Sequence, residues 1–215
     1  MSAIIRELKL EDFEELKTFL RDRYLIDEPL WQPHPDGQLQ NMADPKKEEY
    51  RRNLISQGTS LVALEDGHIV GVALAGALYP SDVEEHGVES EQMSTDTILS
   101  KVVRFLAEVE RQAKVFEHYD VPKAIYLNIL GVDSSVRRQG LGRRLVAAVM
   151  EVGRSKGFPL LVTTCTSLYS ARVMNALGME CLYSKAYADY KDEAGNVVLK
   201  PQAPHTEACV MAIRL

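Results

Sequence analysis

Arg137, Gly140 and Gly142 stand in the spacing Arg-x-x-Gly-x-Gly, between an apolar run of strand length at residues 125–132 and a helical pattern. The run enters a turn through Asp133-Ser134-Ser135, and the helix beyond carries Leu141, Leu145, Ala148, Val149 and Val152 on one face. Glycines at a helix start keep side chains away from first-turn N–H groups, which have no intrahelical partner, and the macrodipole adds partial positive charge there. Such a turn is an anion site, and phosphate is the anion it suits. The P-loop pattern Gly-x-x-x-x-Gly-Lys-Ser/Thr is absent, as is Gly-x-Gly-x-x-Gly directly after the strand, which excludes those two kinds of phosphate loop.

A second group lies in Leu25-Ile26-Asp27-Glu28-Pro29-Leu30-Trp31-Gln32-Pro33-His34-Pro35. Its prolines forbid helix continuation, and a rigid, partly apolar loop can hold a carboxylate in place. Tyr169 and Ser170 begin a late helix, and His205 follows Pro204 before the final strand. Each has a plainer alternative role. Glu28 can be a solvated acid at a helix end, Ser170 a helix N-cap, and His34 and His205 surface or turn residues.

Periodicity supplies the elements that must position these groups. A strand over residues 4–10 leads to a helix over 11–24, with Phe13, Leu16, Phe19 and Leu20 inward. Asp44 caps and Pro45 opens a second helix, which Gly58 closes. Residues 59–64 and 68–78 form a hairpin across Glu65-Asp66-Gly67. The polar, acidic stretch 79–93 reads as a surface loop, and 94–118 as one long helix with Val102, Phe105 and Val109 on its apolar side. Beyond the anion-site helix come a short strand at 160–164 and a helix at 169–177 ended by Gly178. Two strands at 180–190 and 203–215 follow, around a turn at 192–196.

The 215 residues suffice for one sizeable core, so a single domain over 1–215 is expected. The longest apolar runs are too short to cross a bilayer, which argues against a membrane partner. A net charge of −6 disfavours nucleic acid and suits a cationic ligand. Residues 1–7 carry no signal-peptide apolar stretch. Cys165, Cys181 and Cys209 are odd in number and lack metal-ligand spacing, so a cytoplasmic protein with reduced thiols is expected, as a monomer.

The motif Arg137-x-x-Gly140-x-Gly142, after a strand ending Leu130-Gly131-Val132-Asp133, resembles the pyrophosphate loop of the GNAT superfamily of acetyl-CoA-dependent N-acetyltransferases. The order of elements matches that family across nearly the whole chain. Asp27-Glu28-Pro29-Leu30, with Ser170-Ala171-Arg172-Val173 and Leu177-Gly178-Met179, is similar to the insect arylalkylamine (dopamine-type) N-acetyltransferases. The resemblance implies the α/β GNAT fold: a mixed, mostly antiparallel central sheet with a splayed strand pair, flanked by helices. It implies acetyl-CoA as co-substrate and no metal. Arg137, Arg138, Gln139, Gly140, Leu141, Gly142 and Arg143 would hold the pyrophosphate, main-chain atoms of Leu130, Gly131 and Val132 the pantetheine arm, and Tyr169 and Ser170 would supply cofactor-side hydroxyls.

The implied reaction is direct attack of a small primary amine on the thioester. Arylalkylamines of the tyramine, dopamine, serotonin or tryptamine type are the first candidates; agmatine or a polyamine is the alternative. A non-catalytic acyl-CoA-binding module comes third. An alkylamine with a pKa near 10 is neutral in only about one molecule in a thousand at pH 7, so a base is required. The resemblance assigns that role to Glu28, acting directly or through water, with Pro29 fixing its backbone and apolar neighbours raising its pKa. Main-chain N–H groups near Gly131 and Val132 would stabilise the oxyanion. Ser170 would protonate the leaving thiolate or hold the cofactor, and His205 and His34 are candidates for the amine pocket or a proton relay.

Overall fold

The computed structural model describes residues 3–31, 33–34, 42, 44–94 and 96–215. Seven strands form one sheet: β1 (Ile4–Glu7), β2 (Leu61–Glu65), β3 (His68–Leu78), β4 (Ala124–Val132), β5 (Leu160–Cys165), β6 (Glu180–Ala186) and β7 (Glu207–Arg214). Their spatial order is β1-β2-β3-β4-β5-β7-β6. Every neighbouring pair is antiparallel except β4 and β5, which run parallel. That parallel pair meets only at Ile125 with Leu161 and Tyr126 with Val162, so the ladder stops there and the strands part. Among the described residues no helix is long and apolar enough to cross a membrane.

Among the described residues, seven α-helices flank the sheet: α1 (Phe13–Phe19), α2 (Pro45–Ser56), α3 (Pro80–Gln92), α4 (Ile98–Gln112), α5 (Val115–Tyr119), α6 (Leu141–Ser155) and α7 (Leu168–Ala176). The apolar stripe of α6 packs Leu141, Leu145 and Val149 with Ile125, Leu127 and Leu161 on one face of the β4–β5 region. On the other face, Val102, Phe105 and Val109 of α4 pack with Ala124, Leu160 and Val162. Each such fully buried aliphatic side chain contributes about 1.5–3 kcal/mol. Both faces of the parting strands are therefore held, and the gap between them stays open at one end only.

Several elements differ from the sequence expectation. Residues 79–93 are not a loop: Tyr79 is extended, Pro80 occupies the first turn, and the Asp82 carboxylate accepts the Tyr79 N–H at 2.8 Å, which together start α3. The residues α3 buries are Gly87 and Ser90, so its contact with α4 leaves no apolar periodicity to read. Arg104 Nη2 of α4 donates to the Glu91 and Met93 carbonyls at 2.7 and 2.5 Å and closes the end of α3. The expected long helix is two, because Lys114 sits at φ +44 and breaks it between α4 and α5. The first helix is compound: a 3₁₀ turn at Leu10–Asp12, then α1, then a π-type turn at Leu20–Tyr24. The last two strands are shorter than expected, and residues 187–206 form a long connection that returns to the gap.

Candidate active site

The open end of the gap is a cavity of about 740 Å³ that runs from the start of α6, past the inner edge of β4, to the loop after α1. Gly140, at φ +77, is the N-cap of α6; no side chain caps the turn, and the first intrahelical bond is Arg144 N–H to the Gly140 carbonyl. The N–H groups of the first turn are thus left for a ligand, with the Arg138 and Arg143 side chains on the same cavity wall. A Cβ at Gly142 would meet only Val132 and Leu130, at 3.7 and 3.9 Å, so the space beside the turn is open to the cavity. Arg137 donates to the Val132 carbonyl at 2.9 Å and to Asp27 at 2.6 Å, tying the anion turn to the loop that carries Glu28.

β4 offers main-chain groups along the gap. The β3–β4 register shifts so that Leu74 pairs with Ile129 and Ala75 with Leu127, leaving Asn128 as a bulge. Beyond Tyr126 the opposite edge of β4 has no neighbouring strand. Thr163 Oγ1 donates to the Leu127 carbonyl at 2.8 Å; farther along, Leu130, Gly131 and Val132 line the cavity. An edge in this state takes a ligand in place of a strand. This arrangement fits an extended arm of alternating donors and acceptors attached to a phosphate group.

Glu28 is 6 % exposed and faces the same cavity. Its Oε2 accepts the Leu30 and Trp31 N–H groups at 2.8 and 3.0 Å, a local turn imposed by Pro29. The Thr166 hydroxyl is a further hydrogen-bond partner of the carboxylate. Burial pushes the carboxyl up from its ordinary value; the Thr166 hydroxyl and the two main-chain donors oppose that, so the net direction is upward. Tyr24 and Tyr187 lie close enough for the Glu28 charge to raise them further, after burial, which is the larger cause for both.

Ser170 reaches the cavity, but it is not the cap of its helix. Ser167 is the N-cap, accepting the Ser170 N–H at 3.0 Å, and Ser170 Oγ lies 2.9 Å from both Ser167 Oγ and the Ser167 carbonyl. Tyr169 is exposed at the cavity rim, edge-on to His205 with ring centroids 5.4 Å apart. His205 Nδ1 accepts the Leu168 N–H at 3.2 Å, and burial lowers its pKa, so its bond to α7 is made by neutral imidazole. His34 does not line the cavity; burial, then Lys101, lowers its pKa. Gln139 does not line it either, while Pro29 does; Gln32 and Pro35 lie outside the described residues.

The sequence reading missed Asn128, Gln202 and the hydroxyl run Thr163, Thr164 and Thr166, all of which line the cavity. Each had a signal. Asn128 is a lone polar residue in an apolar strand, and the threonines close a strand that otherwise reads as buried. Cys165, read as a small core residue, is 2 % exposed and pairs across the sheet with Cys209 while touching the cavity.

A strand pair parts over an uncapped, glycine-opened helix start, with a buried carboxylate across the gap. The family model described as the Acetyltransferase (GNAT) family matches residues 13–179, and the chain belongs to that family. It is an enzyme of the acetyltransferase class. Among solved structures it is similar to an agmatine N-acetyltransferase in apo form, at 28 % identity over 100 % of both chains with a TM-score of 0.88. It is also similar to the Drosophila melanogaster polyamine N-acetyltransferase that forms N-acetylagmatine, at 29 % identity over 99 % of this chain and 100 % of that one, with a TM-score of 0.86. Arylalkylamine N-acetyltransferase 2 from Aedes aegypti matches at 27 % identity over 99 % and 98 %, with a TM-score of 0.87.

Proposed function

We propose that this protein transfers the acetyl group of acetyl-CoA to a small primary amine by direct attack, with Glu28 as the base. The observation that carries the reading is the Glu28 carboxyl, buried at the cavity wall with one oxygen held in place by two main-chain N–H groups. Acetyl-CoA, when bound, supplies an acyl thioester. The first turn of α6, with Arg138 and Arg143, receives its phosphates, and the open edge of β4 over residues 128–132 aligns its arm. Glu28 Oε1 accepts the ammonium proton, directly or through water, and main-chain N–H groups of that β4 edge meet the negative charge that develops on the thioester oxygen. Ser170 is placed at the cofactor side, where its hydroxyl holds the cofactor or donates to the departing sulfur.

Two amine classes accord with the similar structures, arylalkylamines and agmatine or polyamines. Tyr24 and Pro29 in the wall beside Glu28 support the first. Asn128, Thr163, Thr164, Thr166 and Gln202 support the second, because a polar wall gains more from a hydrogen-bonding chain than from a bare ring. Three free thiols accord with a reducing, cytoplasmic setting, and sedimentation would test the monomer reading. Thiol release from acetyl-CoA across an amine panel is the test of the activity itself: acetylation of at least one amine class supports it, and binding of acetyl-CoA without turnover of any amine overturns it.

A further inference from the structure

Cys165 and Cys209 have no part in the chemistry above. Cys165 ends β5 and stands directly opposite Cys209 of the antiparallel β7. Both side chains belong to the core cluster beneath α6 and α7, on one face of the sheet, while the neighbouring Thr164 hydroxyl reaches Glu110 on the other face. Opposed residues of an antiparallel ladder have Cα atoms about 4.5 or about 5.5 Å apart, according to whether the pair shares main-chain hydrogen bonds. A disulfide takes Cα atoms about 4.4–6.8 Å apart, so either spacing is within its reach. The two thiols are in hydrogen-bonding contact, and both are free.

The cavity reaches one member of the pair. Cys165 lines it, between Thr164 and Thr166, and also meets the Ser170 hydroxyl; Cys209 does not line it. A reagent the size of water that enters the cavity therefore meets Cys165 first. The Cys209 thiol donates to Cys165 and, against burial, pulls it below the ordinary thiol pKa, with Ser170 helping, while Cys209 is itself pushed up by the same contact and then by burial. Cys165 is thus the member that ionises first, and a thiolate is the form that attacks an oxidant. Cys181, the third thiol, is exposed on the edge strand β6 and touches Cys209. Burial and then Cys209 raise its pKa, which makes it the poorer nucleophile in spite of its exposure.

We propose that Cys165 and Cys209 are a peroxide-oxidised dithiol set into the wall of the cavity, closing to a cross-strand disulfide. The Cys165 thiolate attacks one oxygen of hydrogen peroxide and the O–O bond breaks, leaving Cys165 sulfenic acid and hydroxide. Cys209 sulfur then attacks the Cys165 sulfur; the S–S bond forms, the S–O bond breaks, and the departing hydroxyl leaves as water with the Cys209 proton. Peroxide gains two electrons and the thiol pair loses two. Once Cys165 is oxidised, the thiolate that raised Cys209 is gone, which readies Cys209 for the second step. Acetyl-CoA in the cavity would cover Cys165, so that oxidation falls on the cofactor-free protein. That shielding alone rests on the acetyltransferase reading above; the dithiol does not.

The test treats the reduced protein with hydrogen peroxide, alkylates the remaining thiols and maps its peptides by mass spectrometry without reduction. Wild type and Cys181→Ser should both yield a Cys165–Cys209 peptide pair, lighter by two hydrogens than its parts and lost on treatment with dithiothreitol. In Cys209→Ser, which removes the resolving thiol, dimedone should label Cys165 instead. A bridge from Cys181 to Cys209, oxidation confined to Cys181, or an unoxidised Cys165 in wild type overturns the proposal. Acetyl-CoA at about ten times its Kd, measured by calorimetry, leaves about a tenth of the cavities open and should slow the bridge by about tenfold. An unchanged rate with acetyl-CoA bound would take the route away from the cavity and overturn the proposal. Failure of acetyl-CoA to bind would count against the acetyltransferase reading, and the peptide map of the free protein would still decide for or against the dithiol.

Discussion

Glu28 divides its carboxylate between two tasks, Oε2 for the Leu30 and Trp31 N–H groups and Oε1 for a proton. Glu28→Gln can place its amide oxygen where Oε2 lies and keep both main-chain bonds while losing the basic oxygen. The expected outcome is a fall in kcat of roughly 10²–10⁴, with acetyl-CoA affinity unchanged by calorimetry. In wild type the kcat/KM limb assigned to the enzyme should rise through a pKa above the free glutamate value and stay fixed when amines of different pKa are used; the variant should lack it. Stability follows with the opposite sign to a salt-bridged acid. The folded state keeps a proton that the unfolded chain releases near pH 4.3, so the Glu28 contribution weakens as pH rises from there through the raised folded value. At neutral pH the glutamine variant should therefore melt no lower than wild type. A lower melting temperature would mean that the carboxylate, not the turn, holds the loop.

The start of α6 is the element on which cofactor binding turns. Gly142→Val meets no backbone and only ordinary contacts with Val132 and Leu130, and position 142 has no left-handed backbone to strain. The variant should fold while its side chain obstructs close approach to the helix N–H groups, weakening acetyl-CoA by roughly tenfold or more, about the loss of one charge-assisted bond. Equal affinity in a folded variant would remove this turn from the site. This element was legible from sequence, because glycine spacing, strand length and helical periodicity are all local. The helix α3 was not. Its buried residues are Gly87 and Ser90, and its starting signals at Tyr79, Pro80 and Asp82 are outweighed in sequence by the acidic run that follows. The break at Lys114 was equally hidden, since the apolar stripe continues through Val115 while the backbone turns left-handed for a single residue.

Charge acts at the scale of the whole molecule. A net charge of −6, with Glu28 at the cavity, should draw in a dication more than a monocation, and ionic strength tests this. Raising salt from about 0.01 M to about 1 M shrinks the Debye length from about 30 Å to about 3 Å, so kcat/KM for putrescine should fall several-fold and that for butylamine less. Equal dependence for both amines would show that no long-range field distinguishes them.

The sequence by itself determined the phosphate-loop strand and helix, the proline-ended loop that carries Glu28, and through them the family. Those are contiguous motifs whose chemistry lies in neighbouring residues. Only the tertiary structure decided where β4 and β5 part, that Asn128 bulges out of the ladder, and that the 187–206 connection brings Gln202 and His205 to the cavity while His34 stays away from it. It also decided that Glu110, one of two acids on the amphipathic α4, meets Tyr126 and Thr164. Helical periodicity says only that Glu110 lies off the apolar stripe. Whether it faces water or a strand junction depends on which residues, 16 and 54 positions along the chain, the fold places beside it.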